Sequence, residues 1–181
     1  ELAMKNDGCA LQFFANELRT EELCEIAIKN NGKALQYVPE ELKTYKLCKL
    51  AVTQAGSALY FIPKELITKE ICELAVNQDG LALEYIPEKL RTQELCELAV
   101  RQNVYAFLHL HQVNKTLEMC KYVIEKDEWL LKFCPKDLNS KLKKHLENYK
   151  KTYIYPQNEY KKIFNELRER FPNNTLSLDI K

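Results

Sequence analysis

The chain has 181 residues, of which 46% are hydrophobic and 29% charged, and its formal net charge is +1 at pH 7. Such a chain can bury a sizeable core, as one domain or as an array of repeats. No apolar run approaches the roughly 18 residues of a membrane helix, and the N-terminal residues show no basic-then-apolar targeting pattern. Only four glycines and six prolines in a chain rich in Leu, Glu, Lys and Ala indicate helix.

Most of the chain repeats one pattern with a period of 24 residues, which is typical of a solenoid. A threonine and a cysteine keep fixed places in it, at Thr20, Thr44, Thr68, Thr92 and Thr116 and at Cys24, Cys48, Cys72, Cys96 and Cys120. We name each repeat by its threonine. A unit this small cannot bury its own apolar face, so we expect the repeats to stack on one another.

Each repeat is predicted to begin with an α-helix of about three turns, because its apolar residues recur at spacings of three to five. Thr20 and its equivalents are expected to cap this helix, with Glu21 and Glu22 at its positive end. We expect a glycine in the left-handed conformation to end the helix, at Gly32, Gly56 and Gly80.

A second, shorter helix follows the glycine and is limited to one or two turns by the proline after it, as at Pro39. The segment after that proline is predicted to form a single helical or 3₁₀ turn, with Leu42, Leu66 and Leu90 as its apolar residues.

These patterns predict an all-α fold, a right-handed α-solenoid of short two-helix 24-residue repeats with a C-terminal helical cap. The predicted array spans residues 1–139, with a partial repeat at 1–19 that leads us to expect a fragment of a longer protein. The Thr92 repeat is irregular, with Val104 in place of the glycine. Two amphipathic helices at 140–172 are expected to cap the array, and 173–181 to form a loosely ordered tail.

The repeat T-x-E-L-C-x-x-A-V-x-x-x-G-x-A-L-x-Y-[IV]-P-x-x-L-[RK] resembles a family of short helical repeats catalogued as a domain of unknown function. Such repeats are seen in bacteria, including secreted effectors of intracellular pathogens, and in protists and large viruses. The resemblance covers roughly residues 2–139 and implies a helical array with no established chemistry. It therefore brings no catalytic residue and no cofactor. In period the repeat is also similar to variant leucine-rich repeats, which alternate an α-helix with a 3₁₀ helix.

The seven cysteines favour buried thiols over disulfides or zinc. Stacked helices lie roughly 8 to 10 Å apart, beyond the roughly 7 Å that a disulfide allows between Cα atoms. No CxxC pair supports a structural metal site. Reduced thiols suit a reducing cytosol, including a host cytosol into which an effector is secreted.

A second hypothesis for the cysteines concerns the irregular repeats. His109 and His111 stand where other repeats have an aromatic residue and a proline, and Cys134 comes one repeat later. A Cys-His nucleophile or a metal site is conceivable there. Since no oxyanion-hole motif accompanies these residues, a degenerate repeat is the favoured interpretation and no catalytic residue is assigned.

Two columns of the repeat are candidate protein-binding positions. The residue after the glycine position becomes apolar along the chain, and if exposed it forms a ladder of binding anchors at Leu81, Tyr105 and Trp129. Amides at the end of the first helix, Gln54, Gln78 and Gln102, could bind a ligand's backbone. The alternatives are that the C-terminal helices cover the ladder, and that the amides cap the preceding carbonyls or line a solvated edge.

Charge is divided unevenly along the chain. Residues 1–135 hold 16 basic and 20 acidic side chains, whereas residues 136–181 hold 11 basic and 6 acidic ones. An alternative function is therefore binding to the phosphates of nucleic acid or of an anionic membrane. The residues that would bind them are Lys141, Lys143, Lys144, Lys150 and Lys151. The preferred interpretation is a non-catalytic protein-protein interaction scaffold or targeting module of a larger protein, such as a bacterial effector acting on host proteins.

Overall fold

The computed structural model describes residues 8–154, and every regular element in that range is helical, without a β-strand. The predicted all-helical class is confirmed for these residues. The α-helices of the described range are α1 Glu21–Asn30, α2 Tyr45–Gln54, α3 Lys69–Gln78, α4 Gln93–Gln102, α5 Leu117–Lys126 and α6 Asn139–Tyr149, and a π-helix, Lys150–Ile154, follows α6. The predicted helix beyond Pro156 and the tail at 173–181 lie outside the described residues.

The second helix of each repeat is a 3₁₀ helix of six residues, which we call the long 3₁₀ helix. These helices are Gly8–Phe13, Gly32–Tyr37, Gly56–Phe61, Gly80–Tyr85, Val104–His109 and Glu128–Phe133. A short 3₁₀ helix of three residues comes next, at Asn16–Leu18, Glu40–Leu42, Lys64–Leu66, Glu88–Leu90, Gln112–Asn114 and Lys136–Leu138. The predicted single turn after the proline is thereby confirmed.

The predicted threonine caps are also confirmed. The Thr20 hydroxyl accepts a hydrogen bond from the Leu23 amide at 3.4 Å, and Thr92 accepts one from the Leu95 amide at 3.3 Å. Thr44, Thr68 and Thr116 do the same for α2, α3 and α5. Each hydroxyl satisfies a donor that the first turn of the helix leaves without a partner.

The prediction of left-handed glycines was wrong, because no glycine among the described residues has a positive φ. The residue after each of α1 to α5 is extended instead, as Ala55 is at φ −149° and ψ 112°. Gly32 is required for another reason. A Cβ there would collide with the Ala51 carbonyl oxygen and lie 2.9 Å from the Ala55 amide nitrogen, both in the next repeat. Glycine therefore permits two backbones to approach each other.

The core consists of small and branched apolar residues from both helix types. In the Thr68 repeat the fully buried residues include Ile71, Cys72, Ala75, Val76, Ala82 and Leu83. The chain divides into two compact units, residues 1–119 and 120–181. In the first, α1 contacts α2, α2 contacts α3 and α3 contacts α4, and the long 3₁₀ helices contact one another in the same order. The predicted array boundary at residue 139 stays a prediction.

Within residues 8–154, no helix combines the length and the apolarity that crossing a membrane requires.

Candidate functional site

In the first compact unit, two positions of the long 3₁₀ helix hold different residues in different repeats, and the two positions between them hold buried residues. In the repeats from Thr20 to Thr92 the third and fourth residues of this helix are buried, as Ala58 and Leu59 are. The second residues are Lys33, Ser57, Leu81 and Tyr105, and the fifth residues are Gln36, Tyr60, Glu84 and Leu108. The second column is half-buried or exposed, and the fifth is exposed throughout. A constant interior thus supports a surface that differs from repeat to repeat.

The predicted aromatic ladder is exposed at two of its three positions. Tyr105 is 46% exposed and Trp129 is 51% exposed, whereas Leu81 is half-buried. Trp129 belongs to the second compact unit, where its ring lies 4.8 Å from that of Phe133 and the Lys132 ammonium is 3.7 Å from its centroid. Whether the three residues bind a partner together stays a prediction.

Sequence reasoning missed the fifth column of the long 3₁₀ helix. Tyr60 is 68% exposed, more than any residue of the predicted ladder, and Leu108 is also exposed. The Tyr60 ring meets the Tyr85 ring edge to face at 5.4 Å. Variability in the fifth column, between positions that stay constant, is the sequence signal that could have identified these residues.

The amides of Gln78 and Gln102 bind the preceding repeat. Gln78 Oε1 accepts from the Gly56 amide at 2.6 Å while its Nε2 donates to the Gln54 carbonyl at 3.3 Å. Gln102 makes the equivalent bonds to Gly80, at 2.7 Å, and to Gln78, at 3.4 Å. The oxygen and the nitrogen of each amide thus both bond to the backbone of the preceding repeat. The bonds to the Gln54 and Gln78 carbonyls favour the alternative in which the amides cap preceding carbonyls. Ligand binding by Gln54, Gln78 and Gln102 stays a prediction.

The cation that ends the repeat pattern, just before the threonine, is a further feature, to which sequence reasoning gave no role. This column of cations consists of Arg19, Lys43, Arg91 and Lys115, with Ile67 as the exception. Lys43 and Lys115 are buried, and Lys43 donates to the Phe61 carbonyl of the next repeat at 3.1 Å. Lys115 lies over the Phe107 ring, 4.6 Å from its centroid. These cations contact backbone carbonyls and an aromatic ring of the fold.

A pocket of about 510 Å³ opens beside Ile67. Its lining includes Tyr60, Ile62 and Ile67 from the Thr44 repeat and Tyr85 from the Thr68 repeat, with Lys64 and Lys89 also in the lining. The pocket is therefore apolar and aromatic, with two exposed lysines.

The repeat cysteines are buried and reduced, as predicted. Burial raises the pKa of the Cys48 thiol to about 11, and it does the same for Cys72. Thiols with such pKa values are almost entirely protonated at neutral pH, and a thiolate is what nucleophilic attack or metal binding requires. Within residues 8–154 no group of three or more His, Cys, Asp and Glu side chains is arranged to hold a metal ion.

The proposed Cys-His group is divided between the compact units. His109 and His111 belong to the first and Cys134, which is buried, to the second. His111 Nε2 lies 3.3 Å from a carboxylate oxygen of Glu88. A joint site of these histidines with Cys134 stays a prediction.

The predicted phosphate-binding lysines lie on α6 and the π-helix. Lys141, Lys143, Lys144 and Lys151 are exposed, and Lys150 pairs with Glu128 at 2.6 Å. Four cations of this group are therefore accessible to a phosphate ligand.

Comparison with known protein families identifies a related family of domains. Residues 1–43, 20–67 and 68–112 each match the family described as "Domain of unknown function (DUF4116)". Neither the curated proteins nor the solved structures contain a significant match.

Proposed function

The chain belongs to the DUF4116 family of domains of unknown function, and from that premise we propose that its repeats form a right-handed solenoid that serves as a protein-protein interaction scaffold. In the first compact unit, the regular contacts of α1 to α4, and of the long 3₁₀ helices up to Val104–His109, each with its counterpart in the next repeat, support this arrangement. We further propose that the scaffold is a targeting module of a larger protein in a reducing cytosol. A secreted bacterial effector that acts on a host protein is the case that the repeat's resemblance suggests.

The observation that carries this proposal is the variation at exposed positions of the long 3₁₀ helices. The buried third and fourth residues are Ala and Leu or Phe in all of the first unit's repeats from Thr20 to Thr92. The fifth column changes from Gln36 to Tyr60, Glu84 and Leu108. Exposed large apolar residues on an otherwise charged surface are typical anchors for a protein partner.

The scaffold is tested by affinity capture from nuclease-treated eukaryotic cytosol. A triple variant, Tyr60→Ala, Tyr105→Ala and Leu108→Ala, should lose a protein that the native chain retains. The matched control replaces the exposed Lys69, Glu73 and Glu97 of α3 and α4 by Ala and should retain it. Both variants must first show native far-UV circular dichroism. Equal capture by the native chain and the triple variant would contradict the assignment of this surface.

A second candidate function is binding to nucleic acid or an anionic membrane, and the exposure of Lys141, Lys143, Lys144 and Lys151 favours it. Neutralising phosphates releases counterions, so affinity for RNA or for phosphatidylserine vesicles should fall steeply as salt rises. Binding that is insensitive to salt, or equal binding after all four lysines become Gln, would exclude it.

The hydrolase alternative is tested by alkylation. A nucleophilic Cys134 should react with iodoacetamide at pH 7.5 much faster than the repeat cysteines, because the thiolate is the reactive form. We expect Cys134 to react as slowly as Cys48 and Cys72, since all three are buried.

A further inference from the structure

The column of cations before the threonines has one gap, and the gap coincides with the pocket. The arginines of this column each bind three carbonyl groups. Arg19 donates through Nε to Phe14 at 2.9 Å, through Nη1 to Tyr37 at 2.6 Å and through Nη2 to Gln12 at 3.3 Å. Arg91, three repeats later, makes the same three bonds, to Ile86 at 2.8 Å and to His109 and Glu84 at 3.1 Å each.

The carbonyl that Nη1 binds, that of Tyr37 or His109, belongs to the next repeat, so each guanidinium joins two long 3₁₀ helices. Counting back five and seven residues and forward eighteen from Ile67 gives the equivalent carbonyls of the gap, those of Ile62, Tyr60 and Tyr85. These residues all line the pocket. The two neighbouring cations of the column donate to other carbonyls, Lys43 to that of Phe61 and Arg91 to those of Ile86, His109 and Glu84. The register therefore repeats the carbonyl positions that bind the Arg19 and Arg91 guanidinium groups, and isoleucine stands where a cation stands in the other repeats.

Resting on the proposed scaffold function, we propose that this pocket binds an arginine side chain of the partner protein. A planar guanidinium has the donors and the geometry that the three carbonyls match at Arg19 and Arg91, whereas an ammonium, as at Lys43, is a point charge with a less specific fit. The exposed Tyr60 ring and the Tyr85 ring beside it offer aromatic faces to the same cation.

The charges around the pocket restrict the sequence that can carry this arginine. Lys64 and Lys89 line it and would repel a strongly basic segment. Acidic residues next to the arginine would instead pair with these two lysines. The partner segment is therefore one in which an arginine is flanked by Asp or Glu.

The inference is tested with the blocked peptide Glu-Arg-Glu and its citrulline counterpart, which replaces the guanidinium by a neutral urea of the same shape. Titration of the full chain, followed by ¹H–¹⁵N correlation spectra, should shift the amide signals of Ile62, Ile67 and Tyr85 with the arginine peptide. The citrulline peptide should bind at least about tenfold more weakly, because its bonds to the carbonyls lose their charge assistance. Equal binding of the two peptides, or no binding, would overturn the inference.

A pair of variants identifies the pocket. Ile67→Arg restores the internal cation of the other repeats, so it should fold, raise the thermal midpoint and abolish peptide binding. Ile67→Leu keeps the pocket apolar and should bind as the native chain does. If Ile67→Arg binds the peptide with native affinity, the inference fails.

The arginine pocket and the interaction scaffold are tested by different experiments, so one proposal can fail while the other holds. Peptide titration decides the arginine pocket, and capture with the Tyr60, Tyr105 and Leu108 variant decides the scaffold. A protein captured equally by the native chain and Ile67→Arg, but lost by that triple variant, would support the scaffold and overturn the pocket.

Discussion

At the scale of the residue, the cations before the threonines connect repeats through carbonyl groups of the backbone. Arg91 is half-buried and binds carbonyls of its own repeat and of the next. A hydrogen bond to a charged group contributes about 1.5 to 3 kcal/mol when buried. Because the guanidinium is partly solvated, we expect its three bonds together to contribute about as much as one buried bond.

Arg91→Met should therefore lower the free energy of unfolding by about 1.5 to 3 kcal/mol, as measured by urea denaturation. Methionine keeps much of the apolar stem, so the loss reports mainly on the hydrogen bonds. Lys33→Met at an exposed position is the control and should change the free energy of unfolding by less than about 0.5 kcal/mol. Equal effects of the two substitutions would mean that the carbonyl contacts contribute nothing.

At the scale of the element, the distance between a long 3₁₀ helix and the next α-helix is set by glycine. A Cβ on Gly56 would collide with the Ala75 carbonyl oxygen and lie 3.1 Å from the Asp79 amide nitrogen. Replacing glycine by alanine elsewhere often stabilises by about 0.4 to 1 kcal/mol through the unfolded chain. Overpacking costs typically 1 to 3 kcal/mol, and here the neighbouring atoms are backbone and cannot rotate away.

We therefore expect Gly56→Ala to destabilise the chain by about 1 to 3 kcal/mol, measured by urea denaturation. The adjacent Ser57→Ala, on the same helix but only half-buried, should stay within about 0.5 kcal/mol of the native chain. A stabilising Gly56→Ala would show that the helices can separate at little cost.

Neighbouring α-helices are also joined by ion pairs that respond to pH. Glu25 on α1 accepts from Lys29 of the same helix at 2.8 Å and from Lys46 of α2 at 2.7 Å. These hydrogen bonds, that of Lys29 first, lower the pKa of Glu25 from 4.5 to about 2. Since the folded pKa lies below the unfolded one, the stabilisation is complete above about pH 4.5 and disappears as the pH falls toward 2.

The difference in unfolding free energy between the native chain and Glu25→Gln should accordingly shrink as the pH falls from about 5 to 2. Because the pair is exposed, salt should reduce the same difference. Lys46→Met removes one partner of Glu25, so it should also make the unfolding free energy depend less on pH between about 5 and 2. A difference that stays constant across this range would contradict the low pKa of Glu25.

At the scale of the whole molecule, the proposed solenoid implies that stability is local, because each repeat depends on its neighbours alone. A fragment of residues 1–115 should retain helical circular dichroism and unfold cooperatively. Replacing the buried Leu83 by Ala should cost about 2 to 5 kcal/mol in the fragment and in the full chain, with values that agree within about 0.5 kcal/mol.

Glu84→Ala is the matched control, since Glu84 is the exposed neighbour of Leu83, and it should cost less than about 0.5 kcal/mol. A fragment that is unfolded, or a Leu83→Ala effect that differs between fragment and full chain by more than the error, would contradict the local picture.

The sequence by itself determined the features that depend on nearby residues. The 24-residue period, the threonine caps and the buried cysteines could all be predicted, because periodicity and capping are set within one or two helical turns. The all-helical class followed from the same local preferences. The candidate surface was predicted only in part, since Tyr105 and Trp129 are exposed but Leu81 is half-buried and Tyr60 was missed.

Only the tertiary structure decided the roles of the other residues that recur at fixed positions of the repeat. Gly56 contacts Ala75, the Gln78 amide binds the backbone at Gln54 and Gly56, and the Arg91 guanidinium reaches His109. Each contact joins atoms about one repeat apart, at distances fixed by how closely two helices pack. The Ile67 pocket likewise depends on two repeats, because Ile62 and Ile67 line it from one repeat and Tyr85 from the next.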